Sequence, residues 1–210
     1  MTDVQKSEHL PLGRVLPVLV IEDASHATAL GDALVKGRLA AAEVTLRTAA
    51  GIDAIRALAG RDDLVVGAGT VLSAEQAEGS IAAGARFVVT PGFAPAVVRA
   101  CQEAGVPVFP GAATATEIQM AIDAGLDVVK FFPAQQLGGA AMIKALSAPF
   151  RGVRFIPTGG VTTALIPEYL ALPAVLAVGA TAVAPADLIA GERWDEITTR
   201  AEQAVAAAQS

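Results

Sequence analysis

Lys130 and Glu43 are the two side chains whose chemistry is most at odds with their surroundings. Lys130 sits inside Asp127-Val128-Val129-Lys130-Phe131-Phe132-Pro133, a run that has the marks of a buried strand apart from this one amine. Desolvation among Val and Phe disfavours an ammonium, and the neutral amine can attack a carbonyl carbon to form a Schiff base. The chain has four lysines, and the other three (Lys6, Lys36 and Lys144) fall in stretches that read as tail or surface helix. Glu43 follows an Ala-rich run, in Glu43-Val44-Thr45-Leu46-Arg47. At a side-chain period of two, Glu43, Thr45 and Arg47 share one face of a strand. Both residues also admit a structural reading, with Lys130 reaching a sheet edge or an ion pair and Glu43 as its counter-ion. Even that reading places the two in one site.

The elements that must carry them recur every 20 to 25 residues (about one strand and one helix each). Strands are expected at 15–21, 39–45, 64–67, 87–90, 106–109, 127–131, 153–157 and 175–179, each rich in β-branched residues and ending near Gly, Pro or Thr. Ser73-Ala74-Glu75-Gln76 and Thr114-Ala115-Thr116-Glu117 fit the capping box that starts a helix, and Gly37, Gly60, Gly84, Gly105 and Gly125 stand where a left-handed residue would end one. A last helix is expected from Trp194 to Ala208. Alternating strands and helices, with strands that read as continuous apolar runs, indicate an α/β fold of parallel strands: one (β/α)8 TIM barrel domain spanning residues 1–210, opened by a short N-terminal helix or arm. An open doubly wound sheet is the alternative. In a barrel the side chains of alternate strands fill the same interior layers, so Glu43 on the second strand and Lys130 on the sixth can face one another across the axis.

Barrel chemistry sits at the C-terminal strand ends. Those ends carry Gly67-Ala68-Gly69-Thr70, Thr90-Pro91-Gly92, Pro110-Gly111, Pro157-Thr158-Gly159-Gly160 and Val178-Gly179-Ala180-Thr181. Gly67-Ala68-Gly69 lacks the third glycine of a dinucleotide fingerprint, Leu72 standing in its place. Gly159, Gly160 and Gly179 lie in the motifs that end the last two strands, where glycine lets backbone N–H groups approach an anion, and the loops after these strands are the usual phosphate site of such barrels; plain tight turns are the alternative.

Composition narrows the partners. A net charge of −6 disfavours nucleic acid and anionic membrane surfaces, so an anionic small substrate needs local positive groups. The single cysteine, Cys101, excludes an internal disulfide and reads as helix packing rather than a nucleophile. No apolar leader follows Met1, and the longest uncharged stretch, 170–186, is broken by Pro173, Gly179 and Pro185, which points to a cytoplasmic chain with no membrane partner. His9 and His26 are far apart without carboxylates at ligand spacing, so no metal is expected, and no Ser-His-Asp set is visible.

With these motifs assembled, the chain resembles the 2-keto-3-deoxy-6-phosphogluconate (KDPG) and 2-keto-4-hydroxyglutarate (KHG) aldolase family from the first strand through the eighth. Glu43-Val44-Thr45-Leu46-Arg47-Thr48, Val66-Gly67-Ala68-Gly69-Thr70-Val71-Leu72, Thr90-Pro91-Gly92, Lys130-Phe131-Phe132-Pro133-Ala134 and Pro157-Thr158-Gly159-Gly160 carry the resemblance. It implies a metal-free class I aldolase, a homotrimer, without a cofactor other than the covalent imine on Lys130, and with Glu43 as acid/base. It further implies Arg47 and Thr70 as ligands of the pyruvate carboxylate, with Pro91 and Phe132 lining the pocket. A guanidinium suits that carboxylate because it can grip it bidentately. The chain departs from the family where Gly-Gly-Ser-Trp is usual, reading Gly179-Ala180-Thr181-Ala182, and where Ser usually precedes Thr114, reading Ala113. Thr181 keeps a hydroxyl for the phosphate.

The expected reaction is cleavage of the phosphorylated 2-keto sugar acid to pyruvate and glyceraldehyde 3-phosphate, with KHG as a second substrate. Phe131 and Phe132 are expected to keep the amine dry. Two other readings fit the barrel: a sugar-phosphate isomerase or epimerase using Lys130 or Glu43 only as a base, and a non-catalytic sensor of phosphorylated ligands.

Overall fold

The computed structural model describes residues 10–210. Met1–Lys6, His9 and most of the expected N-terminal helix or arm lie outside the described residues. Nine strand segments follow: β1 (Val15–Leu19), β2 (Ala41–Thr45), β3 (Val65–Gly69), β4 (Val88–Val89), β5 (Val108–Phe109), β6 (Gly111–Ala112), β7 (Val128–Phe131), β8 (Arg154–Pro157) and β9 (Val178–Ala180). They pair in parallel in the order β5-β4-β3-β2-β1-β9 and β6-β7-β8. β5 and β6 are two halves of one barrel strand, parted at Pro110. Proline has no N–H for the ladder, but its carbonyl still accepts from Lys130 N at 2.9 Å. Bridges Phe155↔Val175 and Thr158↔Gly179 join β8 to the β9 side, and β9 pairs with β1. The sheet therefore closes into an eight-stranded barrel, which excludes the open doubly wound alternative.

Each barrel strand is followed by a helix: α1 (Ala27–Lys36), α2 (Gly51–Leu58), α3 (Ala74–Ala82), α4 (Pro95–Glu103), α5 (Ala115–Asp123), α6 (Gly139–Ser147), α7 (Ile166–Leu170) and α8 (Ala186–Ala190). α9 (Trp194–Ala207) closes the ring against α1. The signals that start and end these helices are only partly those expected. Thr114 and Glu117 form the full capping box of α5, whereas Ser73 caps α3 alone, because Gln76 turns its Oε1 to Leu72 N instead. Gly84, Gly105 and Gly125 take left-handed backbones after their helices. Gly37 does not; Arg38 takes that conformation (φ 66°). Gly37 is needed for closeness, since a Cβ there would lie 2.3 Å from Ala201 Cβ on α9.

Two apolar layers result. Outside the strands, residues such as Leu19, Val44, Val129 and Phe131 pack against the helices. Inside, Leu12, Leu16, Ala41, Phe87, Val89, Phe109, Val128 and Ile156 fill the barrel, with Leu10 packed against them. Phe87 and Phe109 dominate this plug, their ring centroids 5.7 Å apart in a tilted arrangement. Each large side chain buried this way contributes roughly 1.5–3 kcal/mol. Glycine on β3 makes the room: a Cβ on Gly67 would lie 2.2 Å from the Phe87 ring. Cys101 is buried in the outer layer, and burial pushes its thiol up to about 11, which fits a packing residue and not a nucleophile.

Gly67→Ala overpacks the barrel interior and is expected to lower stability by about 1–3 kcal/mol. Denaturant unfolding measures this as a lower midpoint at constant slope. An unchanged midpoint would show that the Phe87 ring is free to move aside.

Candidate active site

Lys130 and Glu43 meet at the C-terminal mouth of the barrel. Parallel register places Val18, Glu43 and Gly67 side by side on β1, β2 and β3, and Gly111, Lys130 and Ile156 side by side on β6, β7 and β8. The two halves of the barrel thus aim these side chains inward at the same level. Lys130 Nζ donates to Glu43 Oε1 at 3.1 Å, with the two side chains only 3% and 1% exposed. The amine that reads as an isolated charge in an apolar strand therefore has its counter-ion within proton-transfer distance. Such a pair is costly to bury, and its Coulomb attraction offsets the desolvation only with good geometry. A structural role is a weak explanation for a feature of so little net stabilising value.

Gly69, at the end of β3, makes the pairing possible. A Cβ on it would come 2.1 Å from Glu43 Oε1 and 2.5 Å from its Cγ. No other residue type leaves room for the carboxylate in this position. This role is invisible when residues are read one by one; two glycines at a spacing of two on one strand face were the available signal. Across the site the Phe132 ring centroid is 5.4 Å from Lys130 Nζ, within reach of a cation–π contact. Phe131 does not share this position. It is wholly buried in the layer facing the helices, because strand alternation sends it outward from Lys130. The expectation that both phenylalanines shield the amine holds for Phe132 alone.

The other sequence-derived residues surround the pair at the strand ends. Arg47 lies just beyond β2, exposed, and its guanidinium has no ion pair among the described residues. Thr70 follows Gly69 in a left-handed conformation (φ 56°), unusual for a β-branched residue and a sign of a constrained turn. Leu46 N donates to Gly69 O at 2.8 Å and ties these two ends together. Pro91 is held by a buried neighbour: Thr90 Oγ1 donates to Gly92 O at 2.6 Å and accepts from Gly111 N at 3.3 Å. The Pro91 carbonyl lies so near β6 that a Cβ on Gly111, the register partner of Lys130, would be 2.1 Å from it. Gly159 and Gly160 follow β8 with φ of 101° and 73°. Gly179 on β9 abuts the Thr158 hydroxyl, and Thr181 stands exposed just past it. Among the described residues no group of three or more His, Cys, Asp or Glu could hold a metal ion. No helix among them is long and apolar enough to cross a membrane.

An amine within hydrogen-bond distance of a carboxylate, in a dry barrel mouth, can add to a ketone while the carboxylate takes and returns protons. Known proteins share the sequence pattern and the fold over nearly the whole chain. Residues 7–200 match the family of KDPG and KHG aldolases. The chain is 47% identical to the 2-dehydro-3-deoxy-phosphogluconate aldolase of Treponema pallidum, over 93% of this chain and 94% of that protein. In three dimensions it superposes on the KDPG aldolase of Legionella pneumophila, solved with pyruvate captured as a covalent carbinolamine intermediate, with a TM-score of 0.87 and 38% identity, covering 91% and 93% of the two chains. The 2-keto-3-deoxy-6-phosphogluconate aldolase of Zymomonas mobilis, solved with 3-phosphoglycerate, superposes with a TM-score of 0.86 at 41% identity, covering 93% and 92%.

Gly69→Ala tests the geometry without touching either charged group. Displacing the carboxylate by about an ångström is expected to cost on the order of 10²-fold in turnover. Steady-state kinetics on the folded variant measures it; wild-type turnover would show that Glu43 does not need this position.

Proposed function

The chain belongs to the KDPG and KHG aldolase family, and from that premise we propose that it is a class I aldolase that cleaves 2-keto-3-deoxy-6-phosphogluconate to pyruvate and D-glyceraldehyde 3-phosphate, and KHG to pyruvate and glyoxylate. The observation that carries this reading is the 3.1 Å contact between Lys130 Nζ and Glu43 Oε1 at the barrel mouth. Lys130 Nζ adds to the C2 ketone to give a carbinolamine, and Glu43 supplies the proton with which the hydroxyl departs as water. The resulting protonated imine withdraws electrons from C3. Glu43, left as a carboxylate, takes the C4 hydroxyl proton as the C3–C4 bond breaks and its electron pair moves into the imine, releasing the aldehyde and leaving an enamine. Protonation of C3, with Glu43 in the proton path, gives the imine of pyruvate, and water frees the product and regenerates the amine.

Binding groups surround this centre. Arg47 and Thr70 hold the pyruvate carboxylate, the guanidinium bidentately. Pro91 and Phe132 line the pocket on either side of Lys130. The Gly159–Gly160 loop after β8 and Gly179 near the end of β9 receive the phosphate through backbone N–H groups, which do not depend on side-chain identity, and Thr181 adds a hydroxyl. The carbinolamine of the Legionella pneumophila protein and the 3-phosphoglycerate of the Zymomonas mobilis protein support these two halves of the site. The reaction uses no metal and no cofactor beyond the imine, so chelation leaves it intact. One barrel domain carries all of these residues. We place the enzyme in the cytoplasm as a homotrimer; the exposed apolar side chain of Leu72, at 63% exposure, supports an assembly that covers it.

A lactate dehydrogenase-coupled assay with KDPG tests the function. Pyruvate and glyceraldehyde 3-phosphate in equal amounts are the expected products, and Glu43→Gln is expected to lower the rate by ~10²- to 10⁴-fold, the range of a general acid/base. Isomerised or epimerised substrate without pyruvate would replace this reading with a proton-transfer enzyme, and binding without turnover would make the protein a sensor.

A further inference from the structure

Gln135 touches no reacting atom, yet it joins three parts of the barrel mouth. It lies in the loop after β7, and its backbone N–H donates to Gly159 O at 3.1 Å, beside the bond from Ala134 N to Thr158 O at 2.8 Å. These two bonds lash the loop of the lysine strand to the loop after β8. The aliphatic stem of Gln135 then packs against Gly160, where a Cβ would come within 2.8 Å of Gln135 Cβ. Finally its amide Nε2 donates to the Tyr169 hydroxyl oxygen at 2.8 Å. Tyr169 is wholly buried on α7, so this hydrogen bond anchors the loop to the rigid helix layer.

The segment held in this way is the least self-supporting part of the site. Gly159 and Gly160 both take positive φ, and consecutive glycines have more conformations to lose than any other pair. Backbone N–H groups bind an anion well only if they already point at it, because ordering them on binding subtracts from affinity. We propose that Gln135 and Tyr169 are positioning residues: through their hydrogen bond they hold the Gly159–Gly160 backbone in the conformation that receives the substrate phosphate, and so set the preference for phosphorylated over unphosphorylated substrate. This rests on the assignment of that loop to the phosphate.

The test uses Tyr169→Phe, which removes one oxygen and keeps the ring, Gln135→Leu, and the double variant. Each single variant is expected to raise KM for KDPG about two- to tenfold, the effect of one lost hydrogen bond. The concentration of pyruvate that half-saturates borohydride-trapped imine stays at its wild-type value, because pyruvate has no phosphate, and this also shows the barrel mouth intact. The double variant loses no more than either single one, since both delete the same bond. Equal losses with both ligands, no loss with either, or additive losses in the double variant would each overturn the inference. Inorganic phosphate separates it from its premise. If phosphate competes with KDPG in the wild type and the variants behave as wild type, the brace alone is wrong. If phosphate does not compete in the wild type, the phosphate loop is misassigned and the brace falls with it.

Discussion

Everything at the mouth of this barrel depends on keeping one amine and one carboxylate together out of water. Charges removed from water lose several kcal/mol each of hydration, and they recover it only through close, well-oriented contact. The Lys130–Glu43 contact at 3.1 Å satisfies that requirement, and much of the nearby backbone is spent on it. β2 and β7 lie on opposite sides of a closed parallel sheet whose register brings both residues to the same level. Gly69 gives up a side chain so that the carboxylate fits, and Gly111 does the same so that the Pro91 backbone can approach the strand beside Lys130. A fold selected for stability alone would replace the pair with packed apolar residues at little cost.

The arrangement also divides labour along the rim. One arc, formed by the ends of β2 and β3, offers Arg47 and Thr70 near the carboxylate of the reacting pair. The opposite arc, after β8 and β9, offers glycine backbone and hydroxyls. The lysine loop bridges the two, bonded to Thr158 O and Gly159 O on one side and placing Phe132 over the amine on the other. In the function proposed above, a substrate with a carboxylate at one end and a phosphate at the other spans that rim with its ketone over Lys130. The chain's acidity is no obstacle, because attraction comes from these local groups and not from the net charge of −6.

Much of this was legible in the residue order, for a physical reason. Parallel strands buried on both faces must be apolar throughout, so a lysine or glutamate among them stands out without any knowledge of the fold. The barrel, the lysine–glutamate pairing and the capping of α5 by Thr114 and Glu117 follow from such local rules. What was not legible depends on contacts between distant residues. Phe131 faces the helices rather than the site, Gly37 serves α1–α9 packing while Arg38 takes the left-handed turn, and the fifth strand resumes after Pro110. The bond from Gln135 to Tyr169 spans 34 positions, and neither residue type announces it.

The central claim is that Lys130 is the covalent centre and Glu43 its proton partner. Sodium borohydride added in the presence of pyruvate, followed by peptide mass mapping, tests it most directly. The account predicts one pyruvyl-derived adduct per chain, on the peptide containing Lys130, absent from Lys130→Ala and formed far more slowly in Glu43→Gln. An adduct on Lys144 or Lys36, or no adduct on an enzyme that still turns over, would contradict it.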